Sequence, residues 1–146
     1  MPTMSIYNHT AQLIGSGNAD DNDTYYVLLL NDTAAFDATH TTLTEVTSAG
    51  ANEVTATEWP TNGVALTNVS VTTVDTNDAM FDADDVSVLM STEGVGPFSA
   101  YVLYDGSQAD DPPLAFVELD APVTITQGNS LTIPWSVNGI FRLIVA

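Results

Sequence analysis

Tyr25-Tyr-Val-Leu-Leu-Leu30 decides the class of fold: six bulky residues in a row, apolar on both alternating faces. Gly15-Ser-Gly-Asn-Ala-Asp-Asp-Asn-Asp23 precedes the block and Asn31-Asp-Thr33 closes it. A run this short between turn formers reads as a strand. Two apolar faces place it in a sheet covered on both sides, or with one face in the core and the other in a subunit contact.

The same texture continues outward. Phe98 to Tyr104 sends Ala100, Val102 and Tyr104 to one face and Tyr101 and Leu103 to the other. Leu66 to Val74 sets Val69 and Val71 against Asn68, Ser70 and Thr72, until Val74 arrives one residue late, the mark of a bulge. Asp75-Thr-Asn-Asp78 turns the chain, and the remaining strands are Ala79–Phe81, Val86–Met90, Leu114–Leu119, Val123–Thr126, Leu131–Trp135 and Ile140–Ala146. Pro134 has no N–H to give a ladder, so its strand belongs at an edge or carries a bulge. Asn62-Gly63, Gly94-Val-Gly-Pro97 and Asp105-Gly106 are breaks between blocks. In the loop from Ser48 to Gly63, Trp59 is expected to fold over the body as a lid. Only Phe36 to Thr47 reads as helical, with Asp37 or Thr39 capping a turn or two through Leu43 and Val46, so at most one short helix is expected, near residues 39–47. Eight or nine strands at this spacing make an all-β, two-sheet antiparallel sandwich of jelly-roll or Greek-key type. It forms one domain over residues 1–146, with 1–23 as an extended or loop-like arm.

Composition narrows the function. The chain has 146 residues and 45% hydrophobic content, enough for one packed domain that buries roughly two thirds of its unfolded surface. Nineteen Asp and Glu stand against one cation, Arg142, for a formal net charge of −18. One cation does not neutralise a row of phosphates, which excludes nucleic-acid partners, and the same deficit removes docking on anionic lipid. No apolar run approaches the ~20 residues that span a bilayer. Without cysteine there is no disulfide framework, thiolate metal site or cysteine nucleophile. The segment Met1–His9 lacks a cationic, apolar leader, so synthesis in the cytoplasm without a signal peptide is expected. Self-repulsion at this charge destabilises a small domain at low ionic strength and is screened at 1 M salt, where the Debye length is ~3 Å. A halophilic setting follows as an expectation.

Chemistry has few handles. His9 and His40 fall in no metal or triad spacing, and there is no G-x-S-x-G, H-E-x-x-H or phosphate-binding glycine loop, so an enzyme is not expected. Acidic clusters occur at Asp20–Asp23, at Asp82–Asp85 and at Asp110-Asp111. If Ca²⁺ or Mg²⁺ binds, Asp82, Asp84 and Asp85 are the residues expected to hold it, since Asp82 and Asp84 share one face of an extended segment. Arg142, between Phe141 and Leu143, is expected to pair with a strand carboxylate such as Glu118 or with an acidic turn. Four Asn-x-Ser/Thr sequons, at Asn8, Asn22, Asn31 and Asn68, are ordinary in a chain so rich in Asn and Thr.

From about Val27 onward, a series of segments resembles a family of small virion structural proteins encoded among the head and tail genes of tailed phages. The segments are Asn52-Glu-Val54, Gly63-Val-Ala-Leu66, Phe81-Asp-Ala-Asp-Asp-Val86, Tyr101-Val-Leu-Tyr-Asp105, Pro113-Leu114 running into Phe116-Val117, Leu131-Thr-Ile-Pro-Trp135 and Gly139-Ile-Phe-Arg-Leu143. Val27-Leu-Leu-Leu30 and Thr39-His40 precede them in the matching order. The resemblance implies a capsid- or tail-associated β-sandwich with no catalytic residues. This chain departs from the family in lacking lysine, in keeping with a virus of salt-loving hosts.

The expected role is therefore a head decoration, cement or turret component on the capsid surface. It binds the major capsid protein and self-associates as a trimer or pentamer about a symmetry axis. The physical argument is that one sandwich interior does not absorb Tyr25–Leu30, Phe98–Tyr104 and Ile140–Ala146 on both faces, so a partner covers the excess. The interface residues expected on this argument are Tyr25, Val27, Leu29, Tyr101, Leu103, Trp135, Phe141 and Ile144. The alternative is a tail-tip or fibre module with Trp59 or Tyr104 exposed for sugar stacking.

Overall fold

Residues 2–75 and 78–144 are described by a computed structural model; Thr76-Asn77 of the expected turn and Val145-Ala146 of the last expected strand lie outside them. In chain order the elements are β1 (Thr3–Ile6), α1 (Thr10–Gly15), β2 (Tyr25–Leu30), α2 (Leu43–Thr47), β3 (Glu53–Val54), β4 (Val64–Ala65), β5 (Ser70–Asp75), β6 (Asp78–Asp82), β7 (Val86–Leu89), β8 (Val95–Asp105), β9 (Pro113–Ile125), β10 (Ser130–Ile133) and β11 (Phe141–Ile144). Among the described residues no helix is long and apolar enough to cross a membrane.

The fold is an all-β antiparallel sandwich whose second layer is divided. A six-stranded sheet runs β1-β9-β8-β2-β3, with β4 also on β2. Opposite it lie a two-stranded sheet, β10-β7, and a three-stranded sheet, β11-β6-β5. Strand β2 alternates cleanly. Tyr25, Val27 and Leu29 enter the larger core with Phe81 of β6, Val86 of β7 and Leu131 and Ile133 of β10. Leu28 and Leu30 enter a second core with Ala100, Val102, Tyr104 and Phe116 of the same sheet, closed by Tyr7 and by Leu43 and Val46 of α2. Ala34 and Phe36 pack on its margin. Both faces of β2 are thus covered by the chain itself, by the small sheets on one side and by segment 31–47 on the other.

Local chemistry explains the elements. The late Val74 does sit at a bulge: the β5–β6 register shifts between Thr73 and Asp75. β10 ends at Ile133, before Pro134, and pairs only with β7, so it is an edge. Helix α2 begins at Thr42, whose side chain accepts from the Glu45 N–H while the Glu45 carboxylate accepts from the Thr42 N–H, a reciprocal capping box. The expected caps were Asp37 and Thr39; Asp37 instead accepts from the Thr39 N–H in a separate turn. Two short helices form where at most one was expected, the addition being α1. Residues 1–23 are not a free arm: β1 extends the large sheet along β9, Tyr7 is buried, and the Thr10 hydroxyl donates to the Leu114 carbonyl at 2.8 Å. At Gly63, φ is +76° and a Cβ would collide with the Val27 carbonyl oxygen, so only glycine lets the 60–63 turn lie against β2.

Candidate functional site

The expected interface residues do not form one surface. Tyr25, Val27 and Leu29 are 0% exposed and Leu103 2%, which corrects the expectation that β2 and β8 present a face to a partner. The reason is the cover just described: segment 31–47 supplies the second layer that the sequence argument assigned to another subunit. Tyr101 and Trp135 are half-buried against the larger core, ring to ring at 6.2 Å. Phe141 stacks on Phe81 at 4.8 Å, and Ile144, farther along β11, is 65% exposed. Trp59 is no lid but a wholly buried core residue, and Tyr104 is buried with its hydroxyl donating to the Asn62 carbonyl at 2.6 Å.

The apolar surface that remains open lies on the three-stranded sheet. Register aligns Val71 with Phe81 and Phe141, and Thr73 with Ala79 and Leu143, across β5, β6 and β11. Val71, Ala79, Phe81, Phe141 and Leu143 line an apolar cleft with Ile14 and Ala19. Phe81 is core, but Val71 and Leu143 are each 42% exposed. Both outer strands, β5 and β11, have one strand neighbour each among the described residues, so each offers a sheet edge. Asp20 follows Ala19 at the rim of the cleft, while Asp78, Asp82 and Ile144 alternate onto the reverse face of the sheet. Sequence reasoning named Phe141 from this surface, placed Ile144 with it although Ile144 points to the other face, and missed Val71, Ala79, Leu143 and the α1 contribution. The period-2 pattern of Val69 and Val71 was visible, but nothing in it told that β5 would be an outer strand.

Asp82, Asp84 and Asp85 do not converge as ligands. Asn68 Nδ2 donates to Asp84 Oδ2 at 2.6 Å, Thr67 Oγ1 donates to the same oxygen at 3.4 Å, and the Trp135 N–H donates to Asp85 Oδ1 at 2.8 Å. These carboxylates fasten loops. Among the described residues, no three acidic or histidine side chains group as a metal-holding cluster. Arg142 donates to the carbonyl and side-chain oxygens of Asn138, at 3.3 and 3.2 Å, in place of the expected Glu118, which lies on β9 in the other layer.

A carboxylate that sequence reasoning did not single out is the most unusual one. Asp105 closes β8 opposite Tyr25 and is 0% exposed. Its Oδ1 accepts from the Ser107 N–H at 2.8 Å, while its buried Oδ2 has no donor. Burial pushes its carboxyl up to about 6, and the neighbouring Asp23 carboxylate pushes the same way. Asp23 Oδ2 accepts from Gln108 Nε2 at 3.4 Å and from the Asp20 N–H at 3.3 Å. The two loops are tied together: the Thr24 N–H donates to Ser107 Oγ at 2.7 Å and the Gly106 N–H to the Thr24 carbonyl at 2.9 Å. The Tyr25 hydroxyl donates to the Asp20 carbonyl at 2.6 Å, and burial with the surrounding carboxylates raises this phenol further above its ordinary value. Compared with protein families, with curated proteins and with solved structures, the chain finds no match.

Proposed function

We propose that this chain is a virion structural protein, a capsid decoration, cement or turret component that docks on the major capsid protein and stabilises the head in high salt. The observation that supports it best is the unfinished apolar face of β5-β6-β11, with Val71 and Leu143 exposed between open strand edges. Apolar patches rimmed by charge are protein contact sites, and open edges accept a further strand. Charge selects the occupant. At −18, with Asp20 beside the patch, a second copy is repelled at low ionic strength, whereas a shell protein with a neutral or basic rim is not. Self-association as a trimer or pentamer about a symmetry axis then requires salt near 1 M, where the Debye length is ~3 Å. The resemblance of segments from Asn52 to Leu143 to tailed-phage head and tail proteins supports the same reading.

The tail-tip alternative depends on exposed Trp59 or Tyr104, and both are buried, so the head is the better supported location. Quantitative mass spectrometry of purified particles tests the proposal. Many tens of copies per particle are expected, and a handful or none overturns it. The halophilic part stands apart: the melting temperature is expected to rise from low to multimolar salt, and a flat profile removes it.

A further inference from the structure

We propose that Asp23 and Asp105 hold a divalent, oxygen-seeking cation, Ca²⁺, between the loops 20–24 and 105–108. The inference is independent of the virion reading. Its starting point is Asp105 Oδ2, fully buried and without a donor, a condition in which an ionised oxygen is costly unless something positive compensates it. The group it faces is a second carboxylate, Asp23. The chain has no lysine, and its one arginine is engaged by Asn138 on the far layer, so no side-chain cation of this chain serves the pair. Neutralisation comes from a proton or a metal ion.

The donor chemistry selects the metal. The ligands the site offers are oxygen, the two carboxylates of Asp23 and Asp105. That set excludes soft metals, and two carboxylates balance a divalent charge. Calcium accepts irregular oxygen cages completed by water, whereas magnesium demands near-octahedral order. Both loops are held in place before any ion arrives, because the Thr24–Ser107, Thr24–Gly106 and Tyr25–Asp20 hydrogen bonds fix them.

Calorimetric titration and thermal melting of the full chain at pH 7.5 and constant ionic strength test the site, with CaCl₂ as the probe. One Ca²⁺ per chain is expected, with a rise in melting temperature of about 5 °C or more at a hundredfold excess over Kd. Asp105→Asn and Asp23→Asn are expected to abolish both effects, and Asp32→Asn, an exposed turn carboxylate, to keep them. If Asp105→Asn fails to fold, Asp23→Asn reads the same loss. An equal rise in the Asn variants overturns the proposal, since it is then screening of the −18 charge. So does a lack of heat and of any rise in melting temperature on adding CaCl₂, since the pair then holds no metal.

Discussion

The six-stranded sheet and the three-stranded sheet meet the same requirement differently. In the first, β2 is apolar on both faces and the chain covers both, with the small sheets over Val27 and Leu29 and with segment 31–47 over Leu28 and Leu30. In the second, Phe81 is covered while Val71, its register partner on β5, and Leu143, paired with Ala79, stay 42% exposed. The contrast teaches that an apolar pattern states how much surface must leave water and is silent about who covers it. A loop with a few well-placed residues replaces a subunit, and the surface left for a partner is found where the intramolecular cover stops.

The largest effects test the doubly covered sheet. Trp59→Ala is expected to cost about 3–5 kcal/mol, and Leu28→Ala and Leu29→Ala about 2–5 kcal/mol each, by denaturant unfolding of the isolated chain. The comparison between the two leucines is the informative part. They are neighbours on opposite faces, 1% and 0% exposed. A Leu28→Ala cost well under 1 kcal/mol beside a full cost for Leu29→Ala would show that the helix-side cover is weak in solution, and the two-faced account would fail. Thr42→Ala acts on that same cover through the capping box and is expected to cost about 1 kcal/mol.

Much of this was legible in the sequence, and the failures have physical causes. The two-sidedness of Tyr25–Leu30, the face assignments of Ala100 to Tyr104, the bulge at Val74 and the edge at Pro134 all follow from period-2 pattern and backbone chemistry. Phe98 and Ala100 share parity yet enter opposite cores, because β8 is irregular against β9 between them, and pattern alone does not place such a shift. The β1–α1 segment was missed because it is short and buries only Tyr7 and Thr10 tightly, too little for a periodic signal. The Thr42–Glu45 capping box was readable and lost out to Asp37 and Thr39. Asp105 was read as the start of a turn; its burial depends on the pairing of Tyr25 with Asp105 and on loop 20–24 folding over it, both long-range facts. The acidic corner at Asp82–Asp85 drew attention by density, whereas the isolation of one buried oxygen is the stronger signal.

Acid and base titration sharpen the difference between a carboxylate held by hydrogen bonds and one dominated by burial. Glu58, whose carboxylate accepts from the Thr92 N–H and the Ser91 hydroxyl, is held down at about 2 by Thr92 and Ser91 hydrogen bonds. Its contribution to stability is present above its ordinary 4.5 and is lost as pH falls toward 2. Asp105 runs the other way. Its carboxyl is raised from 3.8 to about 6, so between those values the folded protein keeps a proton that the unfolded chain has released. Stability from this group is present below about 4 and is lost as pH rises to about 6. In a chelator, the melting temperature is expected to fall across that window more steeply for the native chain than for Asp105→Asn. Parallel profiles would show that general carboxylate repulsion accounts for the whole slope.

The smallest effect on stability belongs to the unfinished face, and there the functional consequence is greatest. Leu143 is 42% exposed on an outer strand, so Leu143→Asp is expected to change unfolding free energy by no more than about 0.5 kcal/mol. If β5-β6-β11 is the docking surface, the same substitution sets a charge into the apolar centre of the contact and empties the particle of this protein, read by mass spectrometry of virions assembled with the variant chain. A similar charge at Leu89, 54% exposed on β7 and outside that surface, is expected to leave copy number unchanged. Equal incorporation of both variants would mean that the exposed face of the three-stranded sheet is only an imperfectly covered core edge, and that the contact with the shell lies elsewhere on the molecule.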